Sequence, residues 1–208
     1  MIYFIGGPPR VGKSIIAGEI ARLHGISAVS TDSLGAVVEA VMNPEDDPGL
    51  FAVSRFNEMS EADRIELLRG NPARHIACLL KESAAVWRAV VPFVAREQEE
   101  GRDLVAEGVA VLPHLVHQLA GIDYRAVFIG NQTDAQDHNV KRSARAGGHD
   151  WMRDASDEYI DAFVFFAAKM SHYIENEAGK YGFEYLEMKG RPFDDAVTEA
   201  VNTLMPGT

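Results

Sequence analysis

Residues 2–16 read Ile2-Tyr3-Phe4-Ile5-Gly6-Gly7-Pro8-Pro9-Arg10-Val11-Gly12-Lys13-Ser14-Ile15-Ile16. Within them, Gly7 to Ser14 (GPPRVGKS) fits the spacing G-x-x-x-x-G-K-[ST]. An apolar run, Ile2 to Ile5, precedes the match, and Ile15, Ile16, Ile20 and Leu23 follow it at helical spacing. The segment therefore predicts strand, tight loop and helix. In that setting successive backbone N–H groups turn inward and the helix adds the positive end of its dipole, which makes a cradle for an anion of triphosphate size. The predicted nucleotide contacts are Gly7, Pro8, Pro9, Arg10, Val11, Gly12, Lys13, Ser14 and Ile15. Lys13 is expected to reach the β- and γ-phosphates, and Ser14 to join the shell of a magnesium ion.

The 208-residue chain is the right length for one domain with a full core. Its hydrophobic share of 47% and charged share of 25% are those of a globular protein, not a disordered one. A net charge of -11 opposes nucleic acid as a main partner, because a polyanion would meet a field of the wrong sign. A small anionic substrate held by local arginines is compatible with it. The single cysteine, Cys78, precludes an intrachain disulfide, and its neighbours Ile76, Ala77, Leu79 and Leu80 predict a buried structural thiol. No apolar stretch approaches 18 residues, and a cleavable leader would remove the phosphate loop; the expectation is a cytoplasmic protein with no membrane association.

Short apolar runs at 2–5, 27–30, 103–106, 125–129 and 183–186 predict five buried strands. Helical patterns near 12–24, 33–42, 60–69, 72–100, 113–119, 134–146, 156–179 and 193–204 alternate with them. Alternation of this kind predicts an α/β fold with a parallel sheet, helices on both faces, and ligands at the carboxyl ends of the strands. Residues 43–59, with two prolines and a cluster of acids, read as a loop or insertion over one edge of the site. Residues 141–154 carry Lys141, Arg142, Arg145, Gly147, Gly148, His149 and Arg153, either a basic lid over phosphates or a solvated helix end and loop. The Phe- and Ala-rich stretch 156–179 is a candidate homodimer face, and its Phe163, Phe165, Phe166 and Tyr173 read as core or packing surface.

Three strand ends carry candidate chemistry. Asp32, in Thr31-Asp32-Ser33, reads as a base for an attacking hydroxyl or the holder of a metal-bound water; Thr31 or Asp32 as a helix N-cap is the structural alternative. Glu107, closing Leu104-Val105-Ala106-Glu107-Gly108, reads as a magnesium or substrate ligand, or as a turn residue. Arg142 and Arg145, three apart, share a helix side suited to charge on transferring oxygens. Arg55, Arg64, Arg69 and Arg74 surround the acceptor side as candidates for an acidic substrate. Asn131 to Asp134 read as a helix start capped by Thr133 or Asp134, and His114, His117, His138 and His149 lack zinc-site spacing.

The phosphate loop, Thr31-Asp32-Ser33, Ala106-Glu107-Gly108 and a basic lid, in this order, resemble the small-molecule kinases related to nucleoside monophosphate kinases. Ser30-Thr31-Asp32-Ser33 together with Ala106-Glu107-Gly108-Val109 and Pro113 is most similar to 2-phosphoglycerate kinases. The resemblance implies a single three-layer P-loop domain over 1–208 with sheet order 2-3-1-4-5, ATP with Mg2+, an acceptor-side insertion at about 43–100 and a short helical lid at about 134–155. It also implies that Lys189-Gly190-Arg191-Pro192 passes beside the adenine, so Gly190 and Arg191 join the nucleotide contacts. The expected activity is transfer of the γ-phosphoryl group to a hydroxyl or phosphate of a small, acidic metabolite. Lys13, Asp32, Arg142 and Arg145 would be catalytic, and Ser14, Glu107 and Asp32 would hold the metal. The rival is a nucleotide switch or sensor without a small acceptor.

Overall fold

The computed structural model describes residues 1–133, 137–146, 150–190 and 192–206. Five strands are present: β1 (Ile2–Gly6), β2 (Ser27–Ser30), β3 (Leu104–Gly108), β4 (Tyr124–Gly130) and β5 (Glu184–Glu187). They form one sheet in the order β2-β3-β1-β4-β5, and every pairing is parallel. Register brings Gly6 beside Gly108 and Ser30 beside Glu107, so the carboxyl ends of three strands finish at one level.

Successive strand residues point to opposite faces, and both faces are apolar because both are covered. Ile2, Phe4, Leu104, Ala106 and Phe128 enter one core; Tyr3, Ile5, Val105, Val127 and Ile129 enter the other. The second core is closed by α1 (Lys13–His24) and α9 (Phe193–Leu204). The first is closed by α5 (Pro72–Glu99), α6 (Pro113–His117) and α8 (Asp157–Tyr181). The remaining helices are α2 (Thr31–Glu39), α3 (Ser54–Glu58), α4 (Glu61–Gly70) and α7 (Asp137–Ala146). Among the described residues, no helix is long and apolar enough to cross a membrane.

Several expectations need correction. Segment 43–59 is not loop throughout: α3 forms inside it, and Phe56 anchors that turn of helix by burial in the core. The cap of α2 is Ser30, one residue earlier than expected, whose Oγ accepts from the Asp32 N–H at 3.2 Å; this leaves the Asp32 carboxylate free of a capping role. Cys78 is half-buried and lines a surface cleft, because it lies off the apolar stripe of α5. Phe163, Phe166, Ala167 and Ala168 of α8 are buried within the chain, as the core reading of these aromatics expects. Asp134, the glycines Gly147 and Gly148, His149 and Arg191 lie outside the described residues.

Candidate active site

Strand β1 ends at Gly6, and the next six residues, 7–12, form the loop into the first turn of α1. Gly7 (φ 148°) and Gly12 (φ 101°) take backbone angles that side chains disfavour. A Cβ on Gly7 would also lie 2.2 Å from the Ile129 carbonyl oxygen. Within this loop Lys13 is nearly withdrawn from solvent (7% exposed), and its Nζ donates to the Pro8 carbonyl at 2.7 Å. Burial pushes the Lys13 pKa down, while the negative charges of Glu107 and Asp32 oppose that fall.

The neighbouring strand ends supply those charges. Glu107, at the end of β3, is buried, and its Oε1 accepts from the Ser14 hydroxyl at 3.0 Å. Asp32 stands exposed in the first turn of α2. Between them Gly108 (φ 149°) allows β3 to pass against α2: a Cβ there would lie 1.8 Å from Thr31 Oγ1 and 3.3 Å from Asp32 Oδ1. Lys13, Ser14, Asp32 and Glu107 thus line one cleft of about 650 Å³.

The rest of that cleft is built by helices. His75, Leu79, Glu82, Ser83 and Val86 of α5 line it at i, i+4, i+7, i+8 and i+11, one stripe of one helix. Burial lowers the His75 pKa to about 4, which leaves the imidazole neutral, stacked 4.0 Å from the Phe56 ring and edge-on to Phe166 at 4.8 Å. Burial raises the Glu82 pKa to about 7; the Val53 N–H bond opposes this, and the charges of Glu39 and Asp32 add to it. Tyr159 and Phe163 of α8 complete the wall with Arg64 of α4.

The lid side is organised differently from expectation. Arg10, the non-glycine residue of the loop with positive φ (68°), is ion-paired with Asp150, and its guanidinium lies 5.6 Å from the Trp151 ring. Burial alone would raise the Asp150 pKa, yet the Arg10 bond and charge and the Met152 N–H hold it below the ordinary carboxylate range. Arg145 donates to the carbonyls of Met152 (3.1 Å), Ala155 (2.7 Å) and Arg153 and to the Asp157 carboxylate (3.2 Å), tying down the turn that follows α7. Arg142 is exposed, 3.4 Å from Asn139 Oδ1. Neither of these two lines the cleft. Of the acceptor-side arginines only Arg64 does; Arg55 and Arg74 line a second cleft and Arg69 pairs with Glu158. Gly190 forms the turn after β5 with φ 76°, and Ile15 is exposed beside Phe193.

His75, Glu82, Asp150, Trp151 and Tyr159 were not singled out by sequence. For His75 and Glu82 a signal existed: both fall with Leu79 and Val86 on one stripe of α5, where a polar group needs a reason. Among the described residues, no group of three or more His, Cys, Asp or Glu is gathered as a metal site.

No family model matches the chain. The solved structures similar to it include a gluconokinase from Sinorhizobium meliloti (TM-score 0.51, 15% identity, covering 97% of this chain and 90% of that one). A shikimate kinase from Bacteroides thetaiotaomicron gives a TM-score of 0.50 at 11% identity, over 96% of this chain and 95% of that one. The fold is that of the P-loop kinases. Among curated proteins the chain is similar to the 2-phosphoglycerate kinase of Methanothermobacter thermautotrophicus, with 30% identity over 197 residues. That match takes in 90% of this chain and 60% of the relative. The 2-phosphoglycerate kinase of Pyrococcus furiosus is 33% identical over 130 residues, 62% of this chain and 40% of that protein. The chain therefore spans 60% or less of the length of these 2-phosphoglycerate kinases.

Proposed function

We propose that this P-loop kinase fold carries an ATP-dependent phosphotransferase, which moves the γ-phosphoryl group to a hydroxyl or phosphate of a small acidic metabolite. The 2-phosphoglycerate named in its relatives is the first acceptor to try. One observation carries the reading: the cleft that holds Lys13, Ser14, Asp32 and Glu107 continues, without a wall between, into a space lined by α4, α5 and α8. A phosphate cradle opening on a second, metabolite-sized space suits group transfer between two small molecules better than a switch that answers to a protein.

The residues present fit magnesium and a triphosphate. Ser14, Glu107 and Asp32 offer hard oxygen donors, and a magnesium ion that keeps several waters and phosphate oxygens needs few protein ligands. Ser14, Glu107 and Asp32 would hold magnesium, which would supply positive charge to offset the charge that develops on the transferring group. Lys13 provides a fixed cation on the same group; Glu107 and Asp32 oppose the fall in its pKa that burial causes. Glu107 orients the Ser14 hydroxyl. Asp32 accepts the proton of the attacking acceptor hydroxyl as the new P–O bond forms; ADP leaves with the electron pair of the broken bond. Gly190 and Arg191 belong to the nucleotide side of the proposal. Stabilisation of the transferring group by Arg142 and Arg145 belongs to it as well, and requires Arg145 to release the carbonyls it now holds. A cytoplasmic location and one domain with lid and acceptor insertion complete the reading.

The test is ADP release from magnesium-ATP with and without 2-phosphoglycerate, other phosphorylated acids, sugars, nucleosides and nucleoside monophosphates, with Lys13→Ala as blank. Stimulation by one acceptor class, absent from the blank, supports the kinase. Hydrolysis indifferent to every acceptor, or none, refutes it.

A further inference from the structure

A guanidinium withdrawn from water without a carboxylate or phosphate beside it is costly. Seven arginines of this chain avoid that state: Arg10, Arg22, Arg69, Arg88, Arg96, Arg102 and Arg145 all form ion pairs. Arg64, half-buried on α4, does not follow them. Its Nε is shielded from solvent and has no hydrogen-bond partner among the described residues. Its guanidinium lies 4.9 Å from the Tyr159 ring and 6.0 Å from the Phe56 ring, so two aromatic faces fix its position while contributing no compensating anion.

The surroundings make the vacancy of charge specific. The other arginine of the cleft, Arg10, is committed to Asp150. His75, packed on the same Phe56 ring, stays neutral near pH 7 and offers no second cation. Asp32 and Glu39 line the same space and repel an anion from their side. An anionic group entering the cleft beyond the phosphate loop is left with one guanidinium to meet it.

We propose that Arg64 is the residue that selects an anionic acceptor, binding its carboxylate or phosphate group while Phe56 and Tyr159 hold the guanidinium in place. The planar fork of donors suits either anion, and a lysine at this place would keep the charge without the fork or the stacking. This inference rests on the acceptor-cleft reading above, but it concerns binding and can be tested without turnover.

Titration calorimetry on the nucleotide-free chain with 2-phosphoglycerate, glycerate, glycerol 2-phosphate and glycerol separates the two anion sources from the neutral parent alcohol. The wild type should bind at least one of the three acids and show no preference for glycerol. Arg64→Met should weaken that acid on the order of 100-fold, the loss expected for a pair of charge-assisted hydrogen bonds. Arg64→Lys should weaken it roughly tenfold, and magnesium-ATP affinity should stay within about twofold in both variants. Glycerate retained and glycerol 2-phosphate lost would assign the carboxylate as the recognised group; the reverse would assign the phosphate. Acid binding undiminished in Arg64→Met, equal losses for magnesium-ATP, or no acid bound by the wild type would each overturn the proposal. Acid binding that depends on Arg64 without any phosphoryl transfer would leave this site standing and remove the kinase reading instead.

Discussion

Gly108→Ala tests how tightly the candidate site depends on one close approach between strand and helix. The added methyl would lie 1.8 Å from Thr31 Oγ1 and 3.0 Å from Thr31 Cβ, whereas contacts under 3.0 Å are essentially never tolerated. Relief requires the fully buried Thr31 side chain to turn its hydrogen toward the new methyl, with Cβ still at 3.0 Å, or the start of α2 to move by about 1.2 Å, the difference between 3.0 and 1.8. Asp32 is the next residue and moves with it. A misplacement of about 1 Å costs on the order of 100-fold in a step that depends on alignment. The positive φ of 149° adds strain of about 1–3 kcal/mol for any side chain. In the ADP-release assay with 2-phosphoglycerate as acceptor, kcat should therefore fall about 100-fold while the KM for ATP changes little, since the phosphate loop is not displaced. Thr31→Ala in the same chain removes the obstructing hydroxyl and should recover at least tenfold of the loss. Wild-type kcat in Gly108→Ala, or no recovery in the double variant, would refute this account of how Asp32 is positioned.

Lys13→Ala should lower kcat by about three orders of magnitude with the fold intact by circular dichroism, because the cation acts on the transferring group and not on the core. The same rate in both would remove Lys13 from the mechanism. His75 links stability to acid. Its pKa is lowered from 6.5 to about 4 in the folded chain, so the folded state resists a proton that the unfolded state accepts. The contribution is complete above pH 6.5 and is lost as pH falls towards 4, with a size of up to about 3 kcal/mol by proton linkage. Denaturant titrations at pH 7 and pH 4 should show that loss in the wild type and a smaller one in His75→Phe; equal losses would contradict it. On the lid, Arg145→Ala should destabilise the chain by about 1 kcal/mol through the carbonyls of Met152 and Ala155, whereas Arg142→Ala should change stability by less than about 0.5 kcal/mol. Equal thermal shifts would undo the distinction.

The strand–loop–helix at the amino end and the acids at the strand ends were legible because their signals are local. GPPRVGKS fixes a strand, a loop and a helix within fifteen residues, and Asp32 and Glu107 are recognisable simply as the acids that follow apolar runs. Parallel strands then bring these ends together, so reading each one separately was enough. The acceptor side was less legible because its meaning is tertiary. Glu82 acquires its raised pKa from burial and from Glu39 and Asp32, groups at least 43 residues away in sequence, and nothing in its own neighbours announces that. Arg64 differs from Arg55, Arg69 and Arg74 only by what surrounds it after folding. Arg142 and Arg145 illustrate the converse: helical spacing correctly put them on one side of α7, but the fold engages Arg145 with the backbone of residues 152–155.

The stripe of α5 that lines the cleft has a bearing on how such a chain can diversify. His75, Leu79, Glu82, Ser83 and Val86 occupy a single continuous helix, whereas the phosphate cradle is assembled from the ends of β1, β2 and β3. Substitutions along that stripe alter the shape and charge offered to one reactant without touching the strand ends that serve the other. Under the proposed function, a lineage could exchange one acceptor for another by rewriting a few positions of one rod while the strand ends keep their sequence.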